Sequence, residues 1–271
     1  MFYDYFAFAT VSRTALLFAV LTCISSPAPA QQGPVPVRHA EGTLHGFLIL
    51  TTLDGDTLAI GDLLQTVSGG TVESRMVFAF KDGSRHEETV TFTQDSVFRM
   101  ERYQLMQRGP AFAADAEYVL EKDGSYRAVA REREAAEAEV HEGTIDLPAD
   151  AYNGLVPVIV KNLEAGAEWT VHYVAFTPEP HVIELDIRSE PAAPVLHGDS
   201  SRTTRHWIVE PKLGLVRGFF ASIAGKSPPD NHLWIVTQDV PIFVRSESPL
   251  YVGGPMWRIE LTAPRWPSPV R

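Results

Sequence analysis

Residues 75–94 read RMVFAFKDGSRHEETVTFTQ, and the reading of this stretch decides the fold. Met76, Phe78 and Phe80 alternate with other side chains, Asp82-Gly83 interrupts them, and Val90 and Phe92 resume the period. A period of two puts the apolar side chains on one face of an extended strand, whereas a helix would space them three and four apart. Asp-Gly supplies the positive φ of a tight turn, so the stretch predicts two antiparallel strands joined by a short loop. The same KDGS returns at Lys122–Ser125, between AEYVLE and YRAVAR, and predicts a second hairpin without amounting to an internal repeat.

Outward from these hairpins the same period recurs in TLHGFLILT (from Thr43), DSVFRMERYQLMQ (from Asp95), EWTVHYVAFT (from Glu168) and HVIELDIRS (from His181). It continues in TRHWIVE (from Thr204), HLWIVTQ (from His232), PIFVRSE (from Pro241) and MWRIELT (from Met256). No change of composition divides them, which predicts one mainly β domain over residues 43–266, built as a large curved antiparallel sheet, half-barrel or barrel. REREAAEAEVHEG (from Arg131) has helix-forming composition but follows one strand and runs into another, so it reads as a strand with a long charged turn.

LPADAYNGLVPVIVKNL, Leu147–Leu163, breaks the pattern. Tyr152, Leu155, Val156, Ile159 and Leu163 recur at helical spacing, Asp150 or Asn153 could cap the first turn, and Lys161 and Gly166 are stop signals. Pro157 fits only near a helix start, so the alternative is a shorter helix beginning at Val156. In either form this single short helix must lay an apolar face on the concave side of the sheet.

Of 271 residues 45% are apolar, enough for a full core, and 23 basic against 34 acidic residues leave a net charge of −11. That balance argues against nucleic acid and anionic lipid headgroups as partners. Thr14–Ser26, TALLFAVLTCISS, is an apolar run between Arg13 and PAPA, with Ala28 and Ala30 as the small residues of a cleavage site. It predicts a signal peptide over residues 1–30, then a flexible segment over 31–42, with a C-terminal tail over 267–271. The acidic, aromatic stretch before Arg13 suits a signal peptide poorly, which suggests translation starting near Val11. The run is shorter than the ~20 residues that span a bilayer, and no later segment reaches that length. Cys23, the single cysteine, lies inside this run; a lipid anchor there is the lesser expectation, because Thr22 stands where a smaller residue is preferred. The expected location is periplasmic or secreted.

Several motifs fail on inspection. HEETV at His86 and HEGTI at His141 lack the second histidine of a zinc-protease helix, having Val90 and Ile145 there, and in strands residues four apart lie roughly 13 Å apart. The remaining histidines show no ligand spacing. AGKS at Ala224 has Phe220 where a phosphate loop needs glycine, and Pro228-Pro229 forbid its helix. HGDSS at His197 has no strand-turn-helix serine elbow around it. No catalytic residue, metal ligand or cofactor is therefore expected. LGLVRGFFASIAGKSPP, from Leu213, crowds Phe219, Phe220 and Ile223 between glycines; it reads as a core strand and turn or as an apolar loop at a cavity mouth.

In QRGPAF (Gln107–Phe112), LPADAYNGL (Leu147–Leu155), AGKSPPD (Ala224–Asp230) and GGPMWRIEL (Gly253–Leu261) the chain resembles a group of exported bacterial β-rich proteins, over about Gly42–Trp266. That group has no assigned activity, so the resemblance implies no catalytic residue. In architecture alone, a long antiparallel sheet crossed by one helix resembles the half-barrels of periplasmic lipoprotein carriers.

The leading expectation is an exported binding protein for an apolar or lipid-like small molecule, with the helix as plug or lid. Tyr152, Leu155 and Ile159 on the helix, and Trp169 and Tyr173 with Val171 on one strand face, are the candidate lining, with Phe219 and Phe220 at the mouth. The alternatives are an envelope protein that binds another protein over a filled core, and a hydrolase using Ser200 or Ser201. N-terminal sequencing of the exported chain should read Gln-Gln-Gly-Pro from Gln31; a chain retaining Cys23 would overturn the cleavage site.

Overall fold

The computed structural model describes residues 30–177, 179–197, 200–214, 228–238 and 240–262. The strands are β1 (Gln31–Gln32), β2 (Leu44–Thr52), β3 (Thr57–Ser68), β4 (Thr71–Phe80), β5 (Arg85–Gln94), β6 (Phe98–Arg108), β7 (Ala114–Glu121), β8 (Ser125–Glu132) and β9 (Glu139–Thr144). After the helix α1 (Val156–Val160) come β10 (Trp169–Phe176), β11 (Pro180–Ser189), β12 (Ala193–His197), β13 (Ser200–Lys212), β14 (Asn231–Val236), β15 (Ile242–Ser248) and β16 (Trp257–Leu261). All belong to one 16-stranded sheet of order β1-β10-β11-β13-β14-β15-β16-β2-β3-β4-β5-β6-β7-β8-β9, with β12 paired to β13 alone. The protein is thus mainly β, as expected, and every ladder is antiparallel except the short β1–β10 pair.

Both predicted hairpins form. β4 and β5 turn through Lys81–Ser84, where Gly83 takes φ 87° and Phe80 N–H donates to the Ser84 carbonyl at 2.9 Å. In each KDGS the aspartate, Asp82 or Asp123, accepts from the backbone N–H of the serine two residues on, Ser84 or Ser125, at 2.9 Å. The charged stretch after β8 is a turn leading into β9, as read. β3 was not foreseen: TLAIGDLLQTVS exposes Ile60 and Leu64 and buries Ala59, Gly61 and Gln65, so its apolar pattern does not follow its inner face.

The sheet is made of two meanders, β2–β9 and β10–β16, joined where β16 pairs with β2. The strands flanking the helix therefore stand near opposite ends of the order. Ile145 N–H donates to Gly124 O beside β8, while Asp150 O accepts from His172 N–H on β10, both at 3.0 Å. Five residues reach at most ~18 Å, whereas strands ~4.8 Å apart would hold β8 and β10 roughly 60 Å apart in a flat sheet. The sheet must therefore curl until its ends nearly meet. Tyr118 of β7 stacks on Phe176 of β10 with ring centroids 4.5 Å apart, which closes the curl through side chains.

The crossing segment is fixed by its polar groups. Tyr152 N–H donates to His172 O, and the Asn153 side-chain amide donates to Val174 O and accepts from Val174 N–H, both at 2.8 Å. Asn153 thus acts as one more strand residue on the β10 edge. Asp150 holds His172 Nδ1 at 2.8 Å, so neither capping candidate caps the helix, whose start has no side-chain cap. Tyr152 is not helical: Gly154, at φ 70°, turns the chain first, and α1 is the short form that Pro157 allows.

The segment 31–42, expected to be flexible, is instead built into the core. Gln31–Gln32 pair with β10, Val35 is fully buried, and its N–H donates to Tyr152 Oη at 2.8 Å. Asn162 Oδ1 accepts from the N–H groups of Arg38 and His39, and Glu41 meets Lys161 Nζ at 2.5 Å. Composition marked the segment as a linker, but these partners come from across the chain. Among the described residues no helix is long and apolar enough to cross a membrane.

Asn153→Ala leaves both Val174 backbone groups buried without partners and should lower unfolding free energy by roughly 2–4 kcal/mol in urea titrations. Gly154→Ala forces a side chain to positive φ with its Cβ only 3.1 Å from Val90 Cβ, and should lose at least about 1–2 kcal/mol.

Candidate functional site: an apolar cavity beneath the crossing segment

Two apolar clusters fill the curled sheet. The larger gathers Phe92, Phe98 and Leu120 from one arm and Val171, Leu185 and Trp207 from the other around Tyr152, Leu155 and Ile159. The smaller packs Leu48, Phe78, Phe80, Phe112 and Trp257, with Phe112 edge-on to Phe80 at 5.3 Å between centroids. Between them lies a cavity of about 930 Å³. Apolar side chains dominate its wall, among them Leu48, Met76, Leu105, Val158, Leu185 and Phe243.

Gly154, Val156, Pro157, Val158 and Lys161 of the crossing segment border it, whereas Tyr152, Leu155 and Ile159 are wholly buried in the larger cluster. Of the apolar stripe legible in the sequence, Tyr152, Leu155, Ile159 and Leu163 pack into the core, and Val156 borders the cavity. Of the remaining expected lining, Tyr173 borders the cavity, while Trp169 and Val171 are core. Phe219 and Phe220 lie outside the described residues.

What sequence reading missed is the polar side of the wall. On β5, His86 and Glu88 share the inward face, opposite Met76 of β4 and Leu105 of β6 at Glu88. The Glu88 carboxyl borders the cavity beside the Tyr103 hydroxyl, and burial raises its pKa. Tyr103 also lies beside Tyr173 of β10, and burial pushes both phenols up. Glu88 was visible only as one of two adjacent acids in HEETV; that it faces inward follows from the register. The second charged feature, the Glu41–Lys161 pair, is neutral as a unit, and Gln65 Nε2 adds a hydrogen bond to Glu41 Oε2 at 3.2 Å.

His86 is 2% exposed and lies between the Phe78 and Phe112 rings. Gln107 Nε2 donates to its Nδ1 at 3.0 Å, since that amide also donates to Leu250 O, which leaves the proton on Nε2. Nε2 has no hydrogen-bond partner among the described residues. Desolvation pulls the His86 pKa down to about 4. Among the described residues no three His, Cys, Asp or Glu side chains are grouped to hold a metal.

No protein-family model matches the chain, and no curated protein matches its sequence. Among solved structures, the chain aligns with a crystal structure of a β-barrel-like protein of the domain of unknown function DUF1849 from Brucella abortus. The identity is 10% over 85% of this chain and 97% of that one, with a TM-score of 0.44.

Between the ordinary histidine value of 6.5 and about pH 4, the unfolded chain carries a proton on His86 that the folded chain does not. Stability from this group therefore falls as pH falls through that window. The raised Glu88 carboxyl has the opposite sign, adding stability at low pH that is lost as pH rises through its folded pKa. Comparing the wild type with His86→Gln cancels Glu88. The stability difference between them should shrink by on the order of 3 kcal/mol from pH 7 to pH 4, read from urea midpoints.

Proposed function

We propose that this chain is a non-catalytic binding protein of the cell envelope, exported through its N-terminal signal, that encloses an apolar or lipid-like ligand in the cavity. The cavity itself carries the reading. Small-molecule sites commonly occupy ~300–1,000 Å³, are mostly apolar, and hold a few fixed polar groups. A void of about 930 Å³ with one polar flank of Glu88, Tyr103 and Tyr173 matches that description. The crossing segment supports it further, because a core made only for stability would bring Val158 and Met76 into contact with the opposite wall. The resemblance to lipoprotein-carrier half-barrels points the same way in architecture alone.

A second reading, a surface for another envelope protein, draws on the outer face of β2–β3, where Phe47 is 55% and Ile60 69% exposed. Such side chains favour contact but name no partner.

The fluorescent probe N-phenyl-1-naphthylamine should bind the natively purified protein saturably at one site, and an organic extract of that protein should contain a displacing lipid by mass spectrometry. Met76→Trp, which places a large ring in the cavity, should weaken probe binding about tenfold or more. Because Met76 is only half-buried, the folded state should lose less than about 2 kcal/mol. Probe binding unchanged by Met76→Trp would place the apolar site elsewhere and overturn the proposal.

A further inference from the structure

We infer that Glu88, Tyr103 and Tyr173 recognise the headgroup of the ligand, and that this headgroup is a protonated amine at the end of an apolar chain. The inference rests on the cavity reading above and adds the ligand's polar chemistry.

An ionised carboxyl only accepts, and the Tyr103 hydroxyl favours that form of Glu88 by donating to it. Tyr103 has a single proton, for which the Tyr173 oxygen beside it competes. Glu88 borders the cavity and keeps acceptor lone pairs that this one donor does not satisfy. An ammonium brings three donors and a positive charge to that acceptor surface. A hydroxyl brings one donor and no charge, and a carboxylate brings only acceptors and a negative charge.

The charge count supports the amine. From the strands packed around Glu88, β4 presents Ser74 and Met76, β6 presents Tyr103 and Leu105, and β10 presents Tyr173, none of them cationic. On β5 itself His86 is neutral near pH 7. Lys161 on the crossing segment is taken by Glu41. His39, His45 and His232 border the same cavity away from this cluster, and a Glu88 variant leaves all three in place. Glu88 is therefore the one acid of the wall without a cationic partner among the described residues, and an enclosed carboxyl of that kind gains most from a charge-assisted bond.

The test compares dodecylamine, 1-dodecanol and dodecanoate, below their aggregation limits, as competitors of N-phenyl-1-naphthylamine at pH 7. Dodecylamine should bind about tenfold tighter than dodecanol, with dodecanoate weakest. Glu88→Gln should remove the preference for dodecylamine over dodecanol. Dodecanol binding as tightly as dodecylamine, or an amine preference that survives Glu88→Gln, would overturn the headgroup and leave the apolar cavity standing. Failure of all three to displace the probe would overturn both readings.

Discussion

The fold depends on one short tether. Five residues run from Ile145, bonded beside β8, to Asp150, bonded to β10, and they cannot span the width of a flat sheet. Closure by a backbone ladder would have sealed the two arms edge to edge and left no room for a connection through the middle. Here the arms meet through a side-chain stack, Tyr118 on Phe176, and through the crossing segment that both arms hold. The same tether that curls the sheet therefore also places a helix inside it.

That arrangement divides the interior. One face of the crossing segment is fixed by backbone pairing, by Asn153 on the β10 edge and by Tyr152 between Val35 and Phe98. A five-residue helix has no propensity to hold itself, so these partners position it. Its other face is then turned toward β4, β5 and β6 across space that it does not fill. The N-terminal segment adds a strap, because Asn162 and Lys161 bind Arg38, His39 and Glu41. Rigidity on one face and a cavity on the other have the same cause.

The polar flank is unusual in where it sits. Buried charges are ordinarily paired, and Glu41 with Lys161 obeys that rule. Glu88 does not, and its carboxyl shifts toward the neutral form instead. His86, two residues along the same strand face, meets burial by staying neutral too. Both groups spend stability on a chemistry that apolar residues would avoid.

The sequence by itself determined most of the strands and both Asp-Gly hairpins, because a period of two and an Asp-Gly turn are local facts. It left two forms of the helix open, and the proline ring and missing N–H of Pro157 pointed to the shorter one, which is the form observed. It did not determine β3, whose Gly61 and Gln65 face inward while Ile60 and Leu64 face out. Nor could it show that residues 31–42 are anchored, since their partners, Asn162 and Lys161, lie more than a hundred residues away. The apolar stripe of Tyr152, Leu155 and Ile159 was legible, but whether a stripe packs or lines a cavity depends on what stands opposite. Only the tertiary structure decided that, and only it brought Glu88, Tyr103 and Tyr173 together, because register between strands from the two arms of the sheet is set by how the sheet curls and not by any one strand.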